Sequence, residues 1–211
     1  LILGGYSAYM SAINANSVTV NVLTKPIAKI KSVYILVPIV FLLGNLLSLV
    51  IPSASNLAVI LLATLYPILI KAGMSSLTAA GIIATTATIV PTPLGSDNVA
   101  IAAELANTTE FAGLTATDYV FKYHAIVSIP TLLIMAAIHF FWQKRCDKKA
   151  GVIESKAVES KDVEEIKGGL LYKTVYAILP LLPIILLIGS FAVQKITGAQ
   201  IDISVEVATL F

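Results

Sequence analysis

The chain has 211 residues, 57% hydrophobic and only 12% charged, with a mean hydropathy of +0.91 and a net charge of +2. A soluble domain carries roughly 25% charged residues, so this composition excludes a soluble globular enzyme, a disordered chain and a nucleic-acid binder, which would need a basic face. The single cysteine, Cys146, excludes a disulfide framework and a cysteine-based zinc site, which leaves a polytopic all-α membrane protein.

Residues 1–13 read as the last turns of a membrane span. The chain opens on Leu-Ile-Leu-Gly-Gly, its first methionine is Met10, and it ends on Val-Ala-Thr-Leu-Phe inside an apolar pattern. Both ends look cut and no signal peptide is recognisable, so a fragment is expected. Residues 14–32 are more polar, carry Lys25, Lys29 and Lys31, and break at Pro26. They are expected as an interfacial arm or an amphipathic helix.

Residues 33–70 run for 38 positions without a charge. As one helix they would extend about 57 Å, against a hydrocarbon core of about 30 Å. They must fold back, and the break is Pro52-Ser53-Ala54-Ser55-Asn56. Proline lacks an N–H, while serine and asparagine satisfy backbone groups freed at a helix start. The second arm, 57–70, is short for a full span. A re-entrant hairpin over 33–70, with its polar tip inside the membrane, is therefore expected in place of two ordinary spans.

Residues 75–106 hold a second interruption, Pro91-Thr92-Pro93-Leu94-Gly95-Ser96-Asp97-Asn98. Two prolines and a glycine cannot continue a helix. Residues 77–90 and 98–106 are expected as one transmembrane helix broken near its middle. After a polar loop, 120–142 reads as a span that ends on Phe140-Phe141-Trp142 and then Lys144-Arg145, an ordinary interface end. His124 and His139 share that span, too far apart for one metal, and are read as packed side chains. Gly4-Gly5 and Gly44 are read as points of close helix approach.

Half of the chain's 26 charges fall in 143–171, seven basic and six acidic. The stretch 143–173 reads as a charged aqueous linker. Residues 175–193 form the next span, kinked at Pro180 and Pro183, and 201–211 begin another helix. Residues 1–142 are thus expected as most of a first transmembrane unit and 174–211 as the start of a second. Lysine-rich segments on the linker side place that side in the cytoplasm by the positive-inside rule.

Each break leaves a half-helix N-terminus whose free N–H groups bind anions without a cationic side chain. Unwound carbonyls and hydroxyls can hold a cation beside them. Ser53, Ser55 and Asn56 at the first break, and Thr92, Ser96 and Asn98 at the second, are the candidate donors to a substrate carboxylate. Asp97 is the one carboxylate expected deep in the membrane, and an intramembrane acid is a functional candidate by its cost alone. It is read as a ligand for a coupling cation or as a proton carrier, with Asn56 beside it, or as an N-cap for the helix that follows.

The order of several motifs resembles a known family. Gly4-Gly5-Tyr6-Ser7-Ala8-Tyr9-Met10 precedes Leu23-Thr24-Lys25-Pro26; the two breaks and Ala63-Thr64-Leu65-Tyr66-Pro67 follow; His139-Phe140-Phe141-Trp142-Gln143, Asp147-Lys148-Lys149 and Leu179-Pro180-Leu181-Leu182-Pro183 close the series. Over roughly 1–195 this resembles the anaerobic C4-dicarboxylate carriers of the succinate-efflux type, within the larger ion-transporter superfamily. The resemblance implies a homodimer in the bacterial inner membrane with two inverted repeats, each carrying one hairpin and one broken helix. It also implies that a Ser-Asn-Thr tip contacts substrate carboxylate and sodium. Ser55-Asn56 matches the first two positions and Leu57 stands in place of the threonine, so sodium coupling, proton coupling and exchange all stay open.

The expected function is secondary transport of succinate, fumarate or malate, with no cofactor beyond a coupling sodium ion or proton. A carrier of another organic anion or of a basic amino acid on the same scaffold is the alternative. An intramembrane aspartyl protease needs two membrane carboxylates, a metalloprotease needs His-Glu-x-x-His, and a serine hydrolase of the elbow type needs Gly-x-Ser-x-Gly; none of these is in the sequence.

Overall fold

The computed structural model describes residues 2–30, 32–51, 53–151, 169–198 and 203–210. Lys31, Pro52, Asp202 and residues 152–168 of the expected linker lie outside the described residues. Among the described residues the structure is helical, with no strand. In chain order the helices are α1 (Ile2–Ala12), α2 (Ala15–Thr24), α3 (Val33–Ser48), α4 (Ala54–Thr64), α5 (Tyr66–Lys71), α6 (Ser76–Ala84), α7 (Ser96–Ala106), α8 (Ala116–Tyr119), α9 (Ala125–Lys149), α10 (Leu170–Ile178), α11 (Leu182–Thr197) and α12 (Val205–Leu210).

A π-helical turn, Val120–His124, joins α8 to α9, and a 3-10 turn, Leu179–Leu181, joins α10 to α11. The continuous helices Ala116–Lys149 and Leu170–Thr197 are long and apolar enough to cross a membrane. The first has 34 residues, about 51 Å at 1.5 Å per residue. By contrast α3 has 16 residues, about 24 Å, which is short of the hydrocarbon core.

The turn between α1 and α2 is made by Asn14, whose φ of +64° lies in the left-handed region that asparagine tolerates better than most residues. Of the two forms expected for residues 14–32, the stretch takes a helical one over Ala15–Thr24. Helix α2 packs against α1, α4 and α10, and buries Asn16, Thr19 and Thr24 with Val18 and Val20. The Thr19 hydroxyl lies 3.0 Å from the Ala15 carbonyl and 3.1 Å from that of Ala177. Hydroxyls and amides that find internal partners bury cheaply, so a stretch rich in serine, threonine and asparagine but free of charge need not lie at the water interface. At its end Lys25 and Pro26 are exposed.

The kink near Pro180 and Pro183 is stitched to α1. Pro183 has no N–H to offer the Leu179 carbonyl four residues earlier. The Tyr6 hydroxyl donates to that carbonyl instead, at 2.9 Å. Helix α3 lies along α9, with the Phe41 and His139 rings 4.8 Å apart. The core beneath the hairpin is Leu36, Phe41, Leu57, Leu61, Leu65 and Leu69, all fully buried.

Gly44 lies close against Thr86, in the turn after α6. A Cβ added there would run into the Thr86 side chain, chiefly its methyl Cγ2. At the other expected point of close approach, a Cβ on Gly5 would have nothing within 4 Å, and the surroundings of Gly4 lie outside the described residues. Gly44→Ala is therefore expected to destabilise the protein by about 1–3 kcal/mol through overpacking. Thr86→Ser, which removes the methyl but keeps Cβ, is expected to restore part of that loss, as read by thermal unfolding of the double variant.

Two boundaries differ from expectation. The helix expected over 77–90 ends at Ala84, because the chain turns through Thr85–Ala87, with Ala87 left-handed at φ +61°. Helix α9 also continues past Trp142 to Lys149, into the stretch expected as linker. Asp147 there is 5% exposed and accepts hydrogen bonds from Ser75 Oγ and Thr78 Oγ1, both at 2.9 Å. Ser75 is in turn the N-cap of α6, taking the Thr78 N–H at 3.1 Å. The charged segment thus begins as a docked helix end.

Candidate functional site

The hairpin tip is built by capping. Ser53 is the N-cap of α4 and its hydroxyl accepts the Asn56 N–H at 3.4 Å. Ser55 in the first turn is exposed and Asn56 is half-buried. The Asn56 side chain donates from Nδ2 to Ser11 Oγ at 2.8 Å, and Asn16 Nδ2 donates to the same oxygen at 2.9 Å. One amide hydrogen of Asn56 fixes its rotamer against α1, and its second remains at the tip.

The second interruption is held from inside. Pro91, Thr92, Pro93, Leu94 and Gly95 are all buried, as non-helical backbone must be when it is shielded by protein. Thr92 is fully buried; its hydroxyl donates to the Leu49 carbonyl at 2.8 Å and accepts from the Leu94 N–H at 3.3 Å. Leu49 caps the C-terminal end of α3, so this bond ties the hairpin turn to the break. Asn98 is 5% exposed, and its Nδ2 donates to the carbonyls of Val90 and Thr92, each at 2.8 Å. Gly95 leaves room for that amide, since a Cβ there would lie 3.3 Å from Asn98 Nδ2.

Thr92 and Asn98, expected as ligand donors, are thus placed behind the site with their donors committed to backbone carbonyls. Ser96 and Asp97 are exposed at the start of α7, where Ser96 Oγ donates to Asp97 Oδ1 at 3.0 Å. The N-cap of α7 is Gly95 and makes no side-chain cap bond. Asp97 is therefore not the N-cap; it sits in the first turn, where the helix dipole favours a negative charge. The surfaces left open at the two helix starts are Ser55 and half-buried Asn56 on one side, Ser96 and Asp97 on the other.

Sequence reasoning missed Ser11 and Asn16, which orient Asn56, and the Asp147–Ser75–Thr78 cluster. It also missed Asn45, on α3 beside Gly44. Asn45 Nδ2 donates to the Phe41 carbonyl at 2.8 Å, but its buried Oδ1 has no hydrogen-bond partner. The available signal was a polar residue within an uncharged run, the same signal that marked the tip. A separate, mostly apolar cavity of about 250 Å³ lies along α7, lined by Val99, Ala102, Leu114, Thr115, Ile203 and Val205. It contains none of the candidate donors.

Thr92→Val is expected to orphan the Leu49 carbonyl and to cost about 1–3 kcal/mol. Thr92→Ser keeps the hydroxyl and is expected to stay near the parent. Thermal unfolding of the two variants checks this, and equal stability would show that the hydroxyl does not hold the break.

The family model for the C4-dicarboxylate anaerobic carrier, DcuC, matches residues 1–211. The anaerobic C4-dicarboxylate transporter DcuC of Escherichia coli K12 is 37% identical over 185 residues, which are 88% of this chain and 37% of that protein. The probable anaerobic C4-dicarboxylate transporter DcuC of Vibrio cholerae serotype O1 is 35% identical over 214 residues, covering 100% of this chain and 43% of that protein. The chain therefore spans less than half the length of these curated relatives. No solved structure matches it.

Proposed function

Since the chain belongs to the DcuC family of C4-dicarboxylate anaerobic carriers, we propose that the full protein is a secondary transporter of C4-dicarboxylates, such as succinate, fumarate or malate, in the bacterial inner membrane. In this reading α3 to α5 form a re-entrant hairpin, and α6 and α7 are the halves of one broken transmembrane helix. Together they make half of a binding site that an inverted repeat in the rest of the protein completes. One substrate carboxylate meets the N–H groups at the start of α4 with Ser55 and Asn56; the start of α7, with Ser96, faces the same space. Thr92 and Asn98 position the break without touching substrate.

The observation that carries this reading is the Thr92–Leu49 hydrogen bond, which brings the hairpin turn against the break. Helix breaks packed against one another are the arrangement by which carriers bind an anion at the midplane. The lengths support re-entrance: α3 alone falls short of the hydrocarbon core, whereas α9 exceeds it. Asp97 is the proposed ligand for a coupling sodium ion or proton, with Asn56 as its neighbour.

Uptake of labelled succinate by vesicles bearing the full-length protein tests the reading. Saturable uptake, inhibited by fumarate and malate but not by lysine or arginine, is expected. Inhibition by the basic amino acids alone would favour the alternative carrier. Parallel runs with an imposed sodium or proton gradient identify the coupling ion.

A further inference from the structure

We propose that the cytoplasmic end of α9 is a docking surface for the headgroup of an anionic phospholipid, built from Trp142, Arg145, Lys148 and Lys149. The proposal rests on the membrane placement of α9 and is independent of the substrate assigned above.

The surface is continuous with an apolar stripe. Ile134, Ile138, Phe141 and Trp142 follow one another at helical spacing and are 57% to 68% exposed. The same spacing then reaches Arg145, Lys148 and Lys149, all exposed. Arg145 lies about 4.5 Å along the axis from Trp142, and Lys149 about 10.5 Å. The polar layer of one leaflet is about 5–7.5 Å deep. With Trp142 at the edge of the hydrocarbon, Arg145 falls at headgroup level, and the lysines reach back to it along their own stems.

The charge of this end is one-sided because of how the helix docks. Asp147 is the only acid between residues 143 and 151, and it is turned inward onto Ser75 and Thr78. Lys144 is also drawn aside, with its ammonium 5.8 Å from the Tyr34 ring centre and 6.0 Å from that of Phe140. What faces outward is one guanidinium and two ammonium groups with no exposed carboxylate among the described residues 143–151. A phosphodiester beside an acyl chain complements both the cations and the stripe. An unpaired cationic surface at a membrane gains about fivefold in affinity for anionic lipid per Lys or Arg.

The test uses a full-length variant that keeps Trp142 as its single tryptophan, reconstituted in phosphatidylcholine vesicles. A fixed fraction of the lipid carries brominated acyl chains, on phosphatidylglycerol in one arm and on phosphatidylcholine in the other. Stronger quenching of Trp142 by the brominated phosphatidylglycerol is expected, corresponding to a relative affinity of at least about fivefold. That excess should vanish in the triple variant Arg145→Gln, Lys148→Gln, Lys149→Gln. It should survive in Lys148→Arg, Lys149→Arg, which guards against a folding artefact. Millimolar inorganic phosphate should leave it unchanged.

Equal quenching by the two lipids, or an excess retained in the triple glutamine variant, would overturn the proposal. So would an excess that millimolar phosphate abolishes, which would mark a free-ion site. The chain's own acids are the rival occupant. If the excess appears only after Glu154, Glu159, Asp162, Glu164 and Glu165 are changed to glutamine, the surface is held by that segment and the proposal fails. The readout needs no substrate, so a failure here leaves the dicarboxylate reading untouched, and failed succinate uptake leaves the lipid site standing.

Discussion

Asn56→Ala is expected to raise the half-saturating concentration of succinate by about 10- to 150-fold. A hydrogen bond from a neutral donor to a carboxylate contributes about 1.5–3 kcal/mol, and 1.4 kcal/mol is a factor of ten in affinity. The geometry explains why this donor acts at full strength. Its side chain is held by the 2.8 Å bond to Ser11 Oγ, an oxygen that also receives Asn16. Little rotamer freedom is lost when substrate arrives, so little of the bond is spent on ordering. Ser11→Ala should weaken binding less, because it frees the Asn56 rotamer without removing the donor. Equilibrium binding of labelled succinate to the full-length variants measures both. A change of less than about threefold for Asn56→Ala, against the tenfold minimum above, would remove Asn56 from the site.

Asp97→Asn is expected to fail in a different way. Accumulation driven by a sodium or proton gradient should be abolished, while exchange of substrate across the membrane should partly persist. A driving ion acts only through its coupling free energy with the substrate site, and the amide neither binds sodium with charge nor carries a proton. The structure sharpens this expectation. Gly95, not Asp97, is the N-cap of α7, so the variant does not remove a cap. It loses only the first-turn dipole interaction, about 0.3–1 kcal/mol at an exposed position. Paired assays of counterflow and of gradient-driven uptake separate the two effects. Full accumulation by Asp97→Asn would reduce Asp97 to an exposed first-turn acid.

The parts of the fold that could be read from sequence are those written in chain-breaking residues. Pro91, Pro93 and Gly95 mark a non-helical segment because proline cannot donate and glycine resists helix, and the structure is non-helical there. The run 33–70 must turn because it is too long to remain one helix, and it turns beside Ser53. Ser53 was legible as a cap for the same reason. What could not be read is where a polar side chain points. Asn98 and Thr92 look like donors to a ligand, yet both are spent on carbonyls that the broken backbone leaves unpaired. Asp147 looks like one charge among thirteen in a solvated stretch, yet two hydroxyls from α6 take it out of solvent. For Thr92 and Asp147 the partner is a distant residue, 43 positions away for Thr92 and 72 for the Asp147–Ser75 pair, whereas Asn98 bonds within its own break. Local pattern carries no information at that range. The depth to which α2 is packed was illegible for a related cause, since its hydroxyl and amide groups count as polar in sequence but find internal partners in the fold.

The central claim is that a C4-dicarboxylate sits between the start of α4 and the start of α7. Ser55 and Ser96 are exposed on those two starts, so each accepts a reporter without disturbing the core. The measurement is the rate at which a maleimide modifies Ser55→Cys and Ser96→Cys, each in a full-length background lacking other cysteines, with increasing succinate. Succinate should slow both rates, with half-protection at the concentration that half-saturates transport, and a monocarboxylate of equal length should not. Unchanged labelling of both cysteines at saturating succinate, in protein that still transports it, would place the substrate elsewhere and contradict the account.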